Sequence, residues 1–211
     1  MVVFEVGPTK EKFFIHKEIA CNGSPVFDKA FNGSFEEAAT QAYTLEDVDA
    51  NTFRFFSEWL YSQRLSLLDH NFDDKEKEAW TVSEKKTHNK HCMNQDIWLV
   101  ELWILGDRFL VNGLQNAVMD NMVKISKICG LMRHSCFEII YSGTPKHSPL
   151  RSFVVQNCVW KRKQAFSEDP KWFPAEMRME MLDVFQEAAP QAVKNRKSEA
   201  IVAEDFFVAD M

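Results

Sequence analysis

Two short apolar runs open the chain, Val2-Val3-Phe4-Glu5-Val6 and Phe13-Phe14-Ile15, with Gly7-Pro8-Thr9-Lys10-Glu11 and Lys12 between them. That spacing, with Gly and Pro in the join, is the signal of a β-hairpin. Residues 12–35 then run K-F-F-I-H-K, S-P-V-F and F-N-G-S-F-E-E. They read as a strand delivering two short helices, which points to a scaffold rather than to an active site.

The first helix has a start signal. Ser24 can accept from unpaired amide protons and Pro25 suits the first helical position, where its missing N–H is no loss. Val26, Phe27, Ala30 and Phe31 form a narrow apolar stripe, and Gly33 can turn the chain, so this helix is short. The alternation of Gln41-Ala42-Tyr43-Thr44-Leu45 predicts a strand. Residues 47–51 can cap the next helix, which carries Phe53, Phe56 and Leu60 on one face with Phe55 and Trp59 beside it, aromatic enough to be central.

Residues 69–95 hold D-D-K-E-K-E and S-E-K-K-T-H-N-K-H with few apolar side chains. A stretch of that composition cannot bury much, and it is expected to be a disordered insertion or a partner-binding loop. Two helices follow. The first covers the apolar run from Ile97 and ends near Asp107-Arg108, and the second holds Leu114, Ala117, Val118, Met122 and Ile125 at clean helical spacing beyond Asn112-Gly113. Ser148-Pro149 caps a further helix with Leu150, Phe153, Val154, Asn157 and Cys158 on its face. A last one is expected from Pro174 to Pro190, with Met177, Met181, Leu182 and Phe185 inward, and residues 191–211 read as a flexible tail.

Taken in order, V-x-V-G, F-x-I-H-K, S-x-x-F, F-x-x-S-F-x-E, F-x-x-F-x-x-W-L-Y and L-x-I-L-G-D-R-F resemble the BTB/POZ domain, in the stand-alone form common in filamentous fungi. The resemblance covers residues 2–125 and continues faintly through Y-S-G-T-P and S-P-L-R. It implies an α+β fold, a small sheet flanked by a cluster of helices, here over residues 1–126 with the 69–95 insertion, followed by a helical extension over 127–190. It makes His16, Ser24, Phe27, Phe35, Trp59, Tyr61 and Asp107 the fold signature. It also implies a module that binds proteins: many such domains dimerise, and many dock on a cullin scaffold of a ubiquitin ligase as substrate adaptors.

Cullin-docking members carry a hydrophobic-x-acid motif ahead of the D-R-F signature. Leu99-Val100-Glu101 fits that wording, one residue out of register counted from Asp107, while the strict match Trp98-Leu99-Val100 lacks the acid. Many dimerising members have an extra helix and strand before the first hairpin. This chain opens at Met1-Val2-Val3, so a monomer or another assembly is expected in place of the usual swapped dimer. Gln63 stands where a glycine commonly follows W-L-Y-T, which suggests a changed turn.

A net charge of −6 argues against nucleic acid, because neutralising phosphates requires clustered Lys and Arg. No apolar run approaches the ~18 residues of a membrane span, and 1–6 is too short for a signal peptide and is interrupted by Glu5, so a cytoplasmic or nuclear protein is expected. Cys21, Cys92, Cys129, Cys136 and Cys158 are odd in number and expected as thiols. Asn22-Gly23-Ser24 and Asn32-Gly33-Ser34 match the glycosylation pattern but read as capping turns.

Catalysis is the weaker reading. His16 sits at a strand end with no nucleophile announced beside it, and the Cys21–His16 proximity lacks any nucleophile signature. His88, His91 and Cys92 form H-x-x-H-C, but a structural zinc site needs four ligands and no second pair is present. Glu36-Glu37 and Glu46, Asp47 and Asp49 flank helix starts, where negative charge is favoured. No phosphate-binding glycine motif occurs, so no cofactor, metal or catalytic residue is assigned. Interaction is the stronger reading, with the partner a cullin or a second copy. Its candidates are Leu65, Leu67, Leu68 and Phe72 beyond the W-L-Y helix, Trp98, Leu99 and Glu101, then Trp80 and Phe206-Phe207. The competing reading has the leucines complete a last strand over 61–65.

Overall fold

The alternation of Val2, Phe4 and Val6 decides the centre of the sheet, since all three are buried from one face of β1 (Val2–Val6). In this computed structural model, which describes residues 1–67, 80–128, 132, 134–161 and 170–188, β1 pairs antiparallel with β2 (Glu11–Ile15), Val2 facing Ile15 and Val6 facing Glu11. The hairpin turns at Gly7, whose positive φ of 73° suits a residue without Cβ. The strand expected near 41–45 forms as β3 (Ala42–Leu45), parallel to β1 with Phe4 opposite Tyr43, giving the order β2-β1-β3.

Helix α1 (Lys17–Gly23) intervenes before the helix announced by Ser24-Pro25; its apolar content, Ile19 and Ala20, is too sparse to signal it by period. Helix α2 (Pro25–Asn32) is as expected, Ser24 Oγ accepting from Phe27 N and Phe27, Ala30 and Phe31 facing inward. A short α3 (Glu36–Thr40) leads into β3, and α4 (Ala50–Ser62) follows behind Asp49, whose carboxylate accepts from Asn51 N at 2.9 Å and Thr52 N at 3.2 Å. Phe4, Phe27, Phe31, Phe53, Phe56 and Phe109 are all fully buried, and the Phe27 and Phe109 rings lie 4.5 Å apart. Each such side chain contributes about 1.5–3 kcal/mol by leaving water, which makes this aromatic cluster the main support of the sheet.

The charged stretch departs from expectation. Residues 80–95 are described, and Val82–Arg108 is a single helix, α5, so the helix begins well before Ile97. Its start is a capping box: Thr81 Oγ1 accepts from Glu84 N at 3.2 Å and the Glu84 carboxylate accepts from Thr81 N at 2.7 Å. The T-x-x-E pair and the absence of Gly and Pro over 83–94 carry the helix there despite its few apolar residues. Residues 68–79 lie outside the described residues.

Helix α6 (Asn112–Ile128) buries Leu114, Val118 and Met122 as its period predicts. Helices α7 (Ser135–Gly143), α8 (Pro149–Lys161) and α9 (Ala175–Ala188) are the last helices among the described residues. In α9 Met177 and Met181 are buried, but Leu182 and Phe185 face outward, contrary to expectation, because the helix presents one narrow stripe to its neighbours. Arg151 knots these three helices. It is 5% exposed, donates to Tyr141 O at 2.7 Å, Thr144 O at 2.6 Å and Thr144 Oγ1 at 3.1 Å, and reaches Glu176 Oε2 at 2.6 Å. The tail over 191–211, with Phe206 and Phe207, lies outside the described residues.

Candidate functional site

Ser24, Phe27, His16 and Tyr61 sit at joints between elements. Ser24, fully buried, caps α2 and also donates to Phe109 O at 2.7 Å, tying the first helices to the end of α5. Phe27 packs on Phe109, and Arg108 reaches across to Asp47 at 2.7 Å, a bond that holds the Asp47 carboxyl below its usual range. Asp107 is exposed and accepts from Gln115 Nε2 at 3.4 Å. His16 pairs with Tyr61: its backbone N–H donates to the phenol oxygen at 3.0 Å and its Nδ1 lies 2.8 Å from it, locking the end of α4 to the start of α1. His16 is therefore a structural residue. Trp59 is buried, while Phe35, on the α2–α3 connection, is exposed.

The interaction candidates separate into two groups along the α4–α5 seam. Leu99 is 1% exposed and belongs to the core, so it is not a contact residue. Glu101 is half-buried and its carboxylate accepts the Thr52 hydroxyl proton, closing the seam. Burial pushes its carboxyl upward, with Asp49 adding to the rise and the Thr52 bond opposing it. The acid of the hydrophobic-x-acid wording is thus spent inside the fold. One residue of register decides this, because neighbouring positions on a helix point about 100° apart.

Trp98 remains at the surface of the seam, half-buried with its ring 5.5 Å from that of Phe55. Leu65 and Leu67 are half-buried against the core. They do not complete a strand over 61–65. Tyr61 and Ser62 end α4, and Gln63 takes a left-handed φ of 56° as its C-terminal cap. The turn usual for glycine is therefore kept, with Gln63 bearing the strain. Ser62 Oγ then donates to Glu58 O at 2.8 Å and accepts from Arg64 N at 3.1 Å, while Ser66 donates to the Glu58 carboxylate, pinning 64–67 onto α4. Tyr61, 49% exposed, stands beside them. Leu68 and Phe72 lie outside the described residues.

A cavity of about 330 Å³ opens between α5, α6, α7 and α8. Trp80, His88 and Cys92 line it, whereas His91 does not. Among the described residues no three His, Cys, Asp or Glu side chains are grouped to hold a metal ion. No disulfide links the described cysteines, and no described helix is long and apolar enough to cross a membrane.

The sequence model of the BTB/POZ domain matches residues 2–79, the stretch from β1 through α4. This chain carries a BTB/POZ domain. Its small mixed sheet wrapped by helices is the α+β architecture expected of it, and the domain is a protein–protein interaction module. No curated protein matches the chain.

Proposed function

We propose that this protein acts without catalysis, as an adaptor whose BTB/POZ domain holds a protein partner on the face formed by the end of α4, residues 64–67 and the middle of α5. The partner class put first is a cullin scaffold of a ubiquitin ligase, in the cytoplasm or nucleus, with residues 1–126 as the docking domain and 127–190 as a helical extension. The observation that carries the reading is that Leu65 and Leu67, just past the end of α4, and Trp98, on α5 against Phe55, are apolar or aromatic side chains left incompletely covered, with Tyr61 also exposed at the end of α4. Interface centres favour such residues, and an aromatic anchor there contributes ~2 kcal/mol or more to binding.

The test is titration calorimetry against a purified cullin N-terminal domain. Trp98→Glu is expected to abolish binding while circular dichroism shows the fold retained, and Leu99→Ala is expected to lower stability instead. Binding that survives Trp98→Glu refutes the face. Self-association is the second reading, favoured by Phe14, which is exposed on the edge strand β2. Phe14→Lys would then reduce the solution mass and leave cullin binding unchanged.

A further inference from the structure

Away from that face, the first turns of the α5 helix bring a nucleophile and a base together at a cavity. His88 and Cys92 are four residues apart on α5, one turn, with Nε2 3.2 Å from Sγ. The Trp80 ring meets the His88 ring edge-on at 4.9 Å, which restricts how the imidazole can turn. Both residues line the cavity of about 330 Å³, a volume at the low end of small-molecule sites. Its far walls are apolar, with Met122 and Ile125 from α6, Phe137 from α7 and Phe153 from α8. Lys85 and Asp96 of α5 are the charged lining residues. From the other helices only Ser126, Asn157 and Cys158 add polar groups.

A thiol hydrogen-bonded to imidazole gains thiolate character, and thiolate is the reactive form. We propose that Cys92 is a modification site, capturing an α,β-unsaturated carbonyl compound whose short apolar substituent lies in the cavity. The Cys92 S–H gives its proton to His88 Nε2, and the sulfur bonds to the β-carbon. The electron pair of the C=C bond moves to the α-carbon, which takes the proton back from the imidazolium. Addition needs a nucleophile and a proton carrier and no oxidant, reductant or leaving group. Cys21 and Cys136 serve as internal references: burial and Asp28 push Cys21 up, and burial pushes Cys136 up to about 12.

The experiment treats the full chain with limiting N-ethylmaleimide or N-hexylmaleimide between pH 6 and 8 and follows each cysteine by peptide mass spectrometry. At pH 6.5 Cys92 is expected to react about tenfold faster than Cys21 or more, and faster still with the hexyl reagent, to which Cys21 is indifferent. His88→Gln is expected to bring Cys92 down to the Cys21 rate. Equal rates at Cys92 and Cys21, or a Cys92 rate unchanged in a folded His88→Gln, overturns the pair. No preference for the longer chain overturns the cavity as its receptor. Should His88→Gln fail to fold, the unmodified protein still decides: the pair predicts a Cys92 rate already levelling off near neutral pH. A rate climbing steadily toward the ordinary thiol range near ~8.5 refutes it.

Discussion

Replacing Arg151 with Leu tests the claim that one buried guanidinium fastens the last three helices. The side chain donates to two main-chain carbonyls, Tyr141 O and Thr144 O, at the end of α7. It also donates to the buried Thr144 hydroxyl oxygen, stacks 4.4 Å above the Tyr141 ring and pairs with Glu176. Glu176 is largely exposed, so that pair contributes under about 1 kcal/mol. The carbonyls matter more. A hydrogen bond from a charged donor contributes about 1.5–3 kcal/mol, and Leu leaves both acceptors buried beside an α7 end that has lost its cap. Glu180, mostly buried and bonded to the Tyr141 hydroxyl at 2.5 Å, also loses the nearby positive charge, 3.9 Å away. The bonds are not additive, so a loss of about 3–5 kcal/mol is expected from two such bonds and the buried acceptors they leave unpaired. Guanidinium unfolding followed by helical circular dichroism measures it. Arg151→Lys should lose roughly half as much, since an ammonium cannot span both carbonyls and the hydroxyl at once. A loss below about 1 kcal/mol for Arg151→Leu would refute the reasoning, because it would mean that water satisfies the same acceptors.

Three further outcomes follow from particular residues. Gln63→Gly should raise stability by about 0.5–1 kcal/mol, the left-handed strain of a side chain less the greater freedom of glycine when unfolded; a thermal midpoint that falls contradicts this. Ser24→Ala removes the α2 cap and leaves Phe109 O without its donor, for a loss of about 2–4 kcal/mol in chemical denaturation. For Glu101 the sign is fixed by a folded carboxyl raised above its unfolded value: its stabilising contribution is full below the unfolded pKa and is lost as pH rises through the folded one. Glu101→Gln, which keeps an acceptor for Thr52, should therefore be more stable than the parent at pH 7, with the advantage vanishing as pH falls toward ~4. An advantage that grows on acidification would reverse the assignment.

The early part of the chain was legible because short-range chemistry and long-range packing agree there. Ser24-Pro25 announces a helix start, and the same serine joins α2 to Phe109 across 85 residues. The hairpin, β3 and the aromatic helix α4 were readable from period and turn residues alone. The start of α5 is set by the Thr81–Glu84 cap and not by any apolar period, so the charged composition of its first turns hides it. Among the docking candidates a single residue of helical phase matters: Leu99 is buried in the core and Glu101 is held by Thr52, while Trp98 stays half-exposed against Phe55. The pairing of His88 with Cys92 was carried by the i, i+4 spacing, but that spacing has meaning only once residues 88–92 are known to be helical. His91, three residues from His88, made the trio look like a ligand set, and the helix sends it elsewhere.

Light scattering of the purified chain, alone and mixed with a cullin N-terminal domain, tests the central claim most directly. The account predicts a complex of defined stoichiometry that disappears with Trp98→Glu. A chain that stays at the mass of one copy, indifferent to the cullin and to its own concentration, would contradict both the adaptor reading and self-association.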